Sequence, residues 1–286
     1  MTKLAMVVLA ALLLAGPLLA HPGSGIAVAP SGEVYFVDTG GGLWKIDAKG
    51  ALVSVASPRF HWMALDPEDK LRSARLPSIP GGELTWAGSK PAVLLSSDVP
   101  LAIGRDGDLY YAARTSANAS DIVRVKSSGQ RSVLANVRRA YLNGIALGPD
   151  GSVYYTEDAA VRRIDAQGRT TTVAENVALT GCASIPSTDG VSGAYLRGLA
   201  VDANGAVYVA ASGCGRVVKI APGGAITTVL QIESPWSPTA VALAGKDVYV
   251  LEYLHTAAED RRAWIPRVRK ITSDSKSAVL ATVTRN

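Results

Sequence analysis

The 286-residue chain has few of the residues that build metal or nucleophile sites, with only three histidines and two cysteines. His21, His61 and His255 show no paired spacing on one element, so they are a poor fit to a zinc site. The stretch ASGCG around Cys214 has a strand-loop-strand pattern, whereas a nucleophile elbow joins a strand to a helix. The sequence therefore gives no support to a zinc enzyme or to a serine hydrolase of the elbow type.

Long apolar runs are also scarce, because only LAMVVLAALLLAGPLLA, ending at Ala20, could enter a membrane. This run follows Lys3, and a basic start before an apolar run is typical of a secretory signal peptide. A membrane anchor is the alternative, but Gly16 and Pro17 leave the run short of the roughly 20 residues that a span needs. We predict a signal peptide over residues 1–20, no stable membrane span after cleavage, and a secreted or periplasmic protein.

Export bears on the two cysteines, because disulfides persist in an oxidising compartment. Cys182 and Cys214 lie 32 positions apart. We predict that they form a disulfide, which for a loop of this size contributes about 3 to 4 kcal/mol. Two free buried thiols are the alternative.

An apolar-Ala-apolar triplet opens a unit that recurs six times along the chain. The central alanines are Ala27, Ala64, Ala102, Ala146, Ala200 and Ala242, and the units begin near residues 25, 62, 100, 144, 198 and 240. This spacing suits four short strands with their turns. We attribute the alanine to crowding of the innermost strands around an axis.

Each unit continues with three further strand patterns. A turn such as GPDG precedes a second strand that carries tyrosine in five units, at Tyr35, Tyr110, Tyr154, Tyr208 and Tyr249. The third strand places a basic residue in an apolar-x-basic-apolar pattern, at Lys45, Arg124, Arg163, Lys219 and Lys270, and a Thr/Val-rich fourth strand follows. We predict an all-β, six-bladed β-propeller of four-stranded antiparallel blades over residues 21–286.

Two features depart from a regular ring. The second unit lacks the tyrosine and carries KLRSARLPSIPGGELTWAG in place of its second and third strands, so we expect an irregular blade. The chain begins on a first strand and ends on a fourth, so the ring should close through side-chain packing between blades one and six.

The units GIAVAPSGEVYFVDTGGGLWKID and RGLAVDANGAVYVAASGCGRVVKI resemble NHL repeats. From about Gly25 to Val283 the chain is similar to the six-bladed propellers of the NHL and SMP-30/gluconolactonase families. For lactonases of that type, the resemblance implies a divalent cation held by a Glu ahead of the first blade, an Asn in NGIA and an Asp in DGMAVD, which is also the base. NGIALGPDG supplies Asn143, but HPGSGIAV has no Glu and Arg197 replaces the Asp.

A guanidinium brings positive charge against a dication that needs carboxylate oxygens. We therefore predict no inherited metal site. A different divalent-cation site, built from Glu157, Asp158 and Glu252, stays open as an alternative.

In a propeller, the loops that enter first strands and those between second and third strands meet on one face around the axial opening. Such convergent loops favour ligand binding. The ligand-binding residues that we predict on this axial face are His61, Tyr141, Asn143, Asp158, Arg197, Trp236, Glu252 and His255.

The repeated basic residues spread charge around the ring, whereas nucleic-acid binding needs a concentrated stripe, so no nucleic-acid partner is expected. We predict that the aliphatic parts of these side chains pack along the sheet, with their charged groups in water. A second basic group, EDRRAWIPRVRK from Glu259 to Lys270, is interpreted as a solvated loop.

The sequence is most consistent with a monomeric module that binds a small molecule, peptide or carbohydrate at the axial face. The alternative is a lactonase- or esterase-type hydrolase with a rearranged site that could use a metal. A structural or protein-interaction ring is a third class. No residue is assigned a catalytic role, so the sequence leaves the question of an enzyme open.

Overall fold

The computed structural model describes residues 22–56, 59–71, 76–80, 82–138, 142–175, 177, 182, 193–254 and 263–285. The predicted signal peptide, Tyr141 and His255 lie outside these residues. In the described part of the chain, no helix has the length and apolar character needed to cross a membrane.

Five blades are four-stranded antiparallel sheets whose strands follow chain order. Blade 1 contains β1 (Ile26–Val28), β2 (Val34–Asp38), β3 (Gly42–Ile46) and β4 (Leu52–Ala56). Blade 3 contains β8 (Leu101–Ile103), β9 (Leu109–Ser116), β10 (Ala119–Val125) and β11 (Arg131–Val137). Blade 4 contains β12 (Ile145–Leu147), β13 (Val153–Glu157), β14 (Ala160–Ile164) and β15 (Thr170–Ala174). Blade 5 contains β16 (Leu196–Val201), β17 (Val207–Ala211), β18 (Arg216–Ile220) and β19 (Ile226–Gln231). Blade 6 contains β20 (Trp236–Ala244), β21 (Asp247–Leu254), β22 (Ile265–Ile271) and β23 (Ser277–Thr282).

Blade 2 is irregular, as the sequence predicts. It contains β5 (Trp62–Asp66), β6 (Leu84–Ala87) and β7 (Ala92–Ser96), in the spatial order β5-β7-β6. The carboxylate of Asp66 accepts hydrogen bonds from the backbone N–H groups of Lys70 and Leu71, which forms a local turn at the end of β5. In the other blades, the first strand is followed instead by a hairpin to the second strand. Within blade 2, β7 comes last in the sequence but lies directly beside the innermost strand, β5. The sequence pattern did not indicate this position.

The six innermost strands form a closed ring. Each of β1, β5, β8, β12, β16 and β20 contacts the innermost strand of the next blade, and β20 contacts β1. One side chain from every innermost strand lines a central cavity: Ile26, Met63, Leu101, Ile145, Leu199 and Val241. The chain is a six-bladed β-propeller, as predicted.

Glycine, rather than the repeated alanine, marks the closest approach between blades. A Cβ atom built on Gly198 would lie 2.8 Å from Cα of Ala240 in the next blade, and one on Gly144 would lie 2.6 Å from the carbonyl oxygen of Arg197. The alanine of the triplet instead faces the repeated tyrosine across the sheet, as Ala146 faces Tyr154. The small side chain of the alanine leaves space for the aromatic ring of the tyrosine. The expectation that the alanine marks the closest approach was therefore wrong, because the glycine stands two positions before it.

The repeated tyrosines and basic residues form a second cross-strand pair on the same blades. Tyr35 lies opposite Lys45, whose Nζ atom is 6.0 Å from the ring centroid and 2.6 Å from Oε1 of Glu33. The hydrogen bond to Glu33 is the main reason that the pKa of Lys45 is raised. Equivalent ion pairs join Arg124 to Asp108, Arg163 to Asp150, Lys219 to Asp202 and Lys270 to Asp247. The charged groups are therefore paired with carboxylates. The prediction that these groups lie in water did not include the ion pairs.

In the sheets that the structure describes, no strand is exchanged between the first and last blades, and side chains join them instead. The buried hydroxyl of Tyr253 on β21 donates to the carbonyl of Val37 at 2.8 Å and accepts from the backbone N–H of Thr39 at 3.3 Å. Burial raises the pKa of Tyr253, so its phenol stays protonated and can donate. Near the C-terminus, Arg285 pairs with the fully buried carboxylate of Asp38. The predicted closure by side-chain packing thus includes buried polar contacts.

We expect the Gly198→Ala substitution to lower the free energy of unfolding by about 1 to 3 kcal/mol, because the added methyl group overpacks the contact with Ala240. Gly223→Ala is the matched control, since its Cβ would meet nothing within 4 Å and should change stability by less than about 0.5 kcal/mol. Urea denaturation measures both, and equal stability of the two variants would contradict the close contact between blades.

We expect Tyr253→Phe to destabilise the protein by about 1 to 3 kcal/mol, because it leaves the buried N–H of Thr39 without an acceptor. Tyr155→Phe is the control, because this buried tyrosine makes no side-chain hydrogen bond within the described residues. Thermal unfolding of both variants tests the closure, and an unchanged melting temperature for Tyr253→Phe would rule out a stabilising role for this contact.

Candidate functional site

The central cavity is too small for a ligand. Its volume is about 60 Å³, whereas ligand pockets generally occupy about 300 to 1,000 Å³. A ligand larger than a few water molecules could not enter this cavity.

Arg197, near the start of β16, has the largest of the almost completely buried side chains, with 1% of its surface exposed. Its Nε atom donates to Oγ of Ser24 at 3.0 Å, and its Nη2 atom donates to the carbonyl oxygen of Pro22. The ring of Tyr195 lies 5.6 Å from Cζ. Residues 22–25 are themselves buried, so a buried segment ahead of blade 1 holds the guanidinium.

The three chain positions that the family resemblance assigns to a divalent cation come together in the fold. The segment before blade 1 bonds to the Arg197 side chain. Gly144, which follows Asn143, lies against the Arg197 backbone. The donor set is a carbonyl, a hydroxyl, an amide and a guanidinium. A guanidinium repels a dication and no carboxylate is supplied, so these residues do not fit the metal.

The acidic residues proposed for an alternative cation site have other contacts. Oε2 of Glu157 lies 3.0 Å from Nε of Arg162. Asp158 adopts a positive φ of 52°, and its carbonyl oxygen accepts from the backbone N–H of Leu196. Glu252 is fully buried between two arginines. Among the described residues, no three His, Cys, Asp or Glu side chains are grouped to hold a metal ion.

Glu252, Trp236, Arg267 and Arg269 form a compact charged cluster on blade 6, called here the blade 6 cluster. The carboxylate oxygens of Glu252 accept from Nε of Arg267 at 2.5 Å and from Nε of Arg269 at 2.6 Å. The guanidinium of Arg267 lies 3.8 Å above the ring of Trp236. Both arginines lie on β22, so the interpretation of this basic stretch as a solvated loop was wrong for them.

The spacing of the two arginines in the sequence is a signal for this cluster. Arg267 and Arg269 are two residues apart on a strand, so they share one face of the sheet, and Glu252 pairs with Arg267 across the two strands. The alternation of arginine with other residues in PRVRK indicates that both arginines share one face. Glu252 can be recognised as their shared partner only from the register between β21 and β22.

His61 lies at the start of β5, is 4% exposed, and places Nδ1 3.5 Å from Oδ1 of the exposed Asp98. Its carbonyl accepts from the backbone N–H of Ser24 at 2.8 Å. His61 therefore sits next to the segment that binds Arg197, which brings two of the predicted site residues to one part of the axial face.

The predicted disulfide is present between Cys182 and Cys214. Cys214 ends a short 3-10 turn after β17. Gly213 donates to the carbonyl of Ala194 at 3.0 Å, and Ser212 donates to that of Tyr195 at 3.1 Å. The two residues directly before β16 are thereby fixed to blade 5 beside Arg197.

Six blades around a closed ring of innermost strands define a β-propeller. The model of the SMP-30/gluconolactonase/LRE-like region matches residues 101–257, and the chain belongs to this family. None of the curated proteins matches the chain in sequence.

Solved structures support the same fold at low sequence identity. The calcium-binding protein regucalcin from Agrobacterium tumefaciens strain C58 is 16% identical, with a TM-score of 0.58 over 85% of each chain. A gluconolactonase from Xanthomonas campestris is 14% identical, with a TM-score of 0.56 over 81% of this chain and 83% of that one. Virginiamycin B lyase from Staphylococcus aureus is 16% identical, with a TM-score of 0.50 over 90% of this chain and 83% of that one.

Proposed function

We propose that the protein is an exported, monomeric ligand-binding member of its family that works without the divalent cation. The ligand is a small molecule, peptide or carbohydrate held on the axial face. The observation that carries this proposal is the buried Arg197, whose guanidinium fills the place where a cation would need a carboxylate.

The electrostatics of the axial face support the same proposal. A guanidinium keeps its positive charge at every physiological pH. A dication placed beside it would be repelled, and the carboxylates of Glu157 and Glu252 are already paired with arginines. The face is therefore better suited to polar or anionic groups of a ligand than to a metal ion.

A metal-independent hydrolase is the second candidate. Membership of a family that includes gluconolactonases favours it, and His61, whose Nδ1 lies 3.5 Å from Oδ1 of Asp98, is placed to carry a proton. In that case lactone hydrolysis would be insensitive to EDTA and would be lost in His61→Gln.

Calcium titration tests the main proposal. A cation that bound at a hundred times its dissociation constant would stabilise the protein by about 2.7 kcal/mol, which corresponds to a rise in melting temperature of about 5 °C or more. We expect neither Ca²⁺ nor EDTA to shift the melting temperature of the wild-type protein by more than about 1 °C, since no cation binds.

Arg197→Asp is the matched variant, because it places a carboxylate beside Asn143 and Ser24. We expect it to be less stable than the wild-type protein without metal and to regain stability with Ca²⁺. Calcium-dependent stabilisation of the wild-type protein, together with glucono-lactone hydrolysis that EDTA abolishes, would overturn the proposed function.

A further inference from the structure

The blade 6 cluster carries more positive than negative charge. Two guanidinium groups share the single carboxylate of Glu252. Neither arginine forms an ion pair with any other carboxylate in the described part of the chain. Because both guanidinium groups stay ionised, the cluster has an excess of one positive charge.

The excess charge is accessible to a ligand. The side chains of Arg267 and Arg269 are 16% and 19% exposed, whereas Glu252 is fully buried beneath them. Within the described residues, no nitrogen of either guanidinium is both buried and without a hydrogen-bond partner. Any nitrogen that is not bonded to Glu252 therefore reaches solvent, where it can donate to an acceptor.

The orientation of these donors is fixed before a ligand arrives. Trp236 covers one face of the Arg267 guanidinium at 3.8 Å, and Glu252 holds the Nε atoms of both arginines. Charged planar donors suit the oxygens of a carboxylate, and preorganised donors lose little entropy on binding.

The position of the cluster agrees with the axial face. Trp236 begins the innermost strand of blade 6, while Glu252 is near the end of β21 and Arg267 near the start of β22. These strand ends all point to the face on which first strands begin. Trp236 also packs against the apolar residues between blades 5 and 6, so the cluster lies at the groove between these blades.

We propose that Arg267 and Arg269, oriented by Trp236 and Glu252, form a binding site for the carboxylate of a small acidic ligand such as a uronic acid. This inference rests on the proposed function, because it names the chemical class of the ligand. The site contains no metal ligand and is separate from Arg197.

Isothermal titration with D-galacturonate and D-galactose, in the presence of EDTA, tests the site. The two sugars differ in the carboxylate at carbon 6. We expect galacturonate to bind about ten-fold or more tightly than galactose, because a hydrogen bond to a charged group adds that much affinity. We also expect galacturonate binding to weaken at high salt and to shift the NMR signal of the Trp236 indole N–H.

Variants separate the site from general surface charge. Arg269→Met leaves Glu252 paired with Arg267 and removes the excess charge, so galacturonate should bind about ten-fold or more weakly. Arg162→Met is the control at the equivalent position of blade 4, where the arginine bonds to two carboxylates, Glu157 and Glu175. It should leave galacturonate binding unchanged. Arg267→Lys keeps the charge but not the planar fork, and should also weaken binding.

Equal affinity for the two sugars, absence of galacturonate binding, or unchanged binding in Arg269→Met would each overturn the carboxylate site. These results differ from those that would overturn the proposed function, which fails only if calcium stabilises the wild-type protein and supports hydrolysis. Equal binding of both sugars in EDTA would reject the carboxylate site while agreeing with a metal-independent binding module.

Discussion

Close contact between six innermost strands around one axis is the constraint on which the structure depends. Neighbouring strands approach so closely at Gly144 and Gly198 that a Cβ atom would meet backbone atoms of the next blade. This packing leaves only a small central cavity. It also brings the starts of all six strands together, so residues far apart in sequence, such as Ser24 and Arg197, can bond to each other.

Arg197 is buried, and the segment ahead of blade 1 holds its guanidinium. Burying a charge costs free energy unless hydrogen bonds compensate it, and the segment ahead of blade 1 supplies two such bonds to Arg197. In the proposed function, Arg197 takes a position at which the family resemblance implies a carboxylate that binds a cation. The ligand-binding chemistry is then expected to move outward, towards the arginines of blade 6.

Most of the architecture could be predicted from the repeat, because strand alternation and turn residues are local. The triplets located every innermost strand, and the missing tyrosine of the second unit indicated an irregular blade. The order β5-β7-β6 could not be predicted, because it depends on which strand reaches the ring first in space. The alanine was assigned to the axis because a sequence shows its small size but not the direction of its side chain.

The site was less predictable, because ion pairing depends on register between strands. Arg197 was predicted as a ligand-binding residue, and its bonds to Pro22 and Ser24 required the fold. Glu252 was predicted as a ligand-binding residue, and the structure buries it between two arginines. Tyr141 and His255 lie outside the described residues, and their roles stay predictions.

A crystal structure of the mature protein grown in calcium would test the central claim most directly. The account predicts the Arg197 guanidinium within hydrogen-bond distance of Ser24 Oγ and the Pro22 carbonyl, with no cation above the axis. A calcium ion coordinated by Asn143, with the Arg197 side chain turned away from the axis, would contradict it.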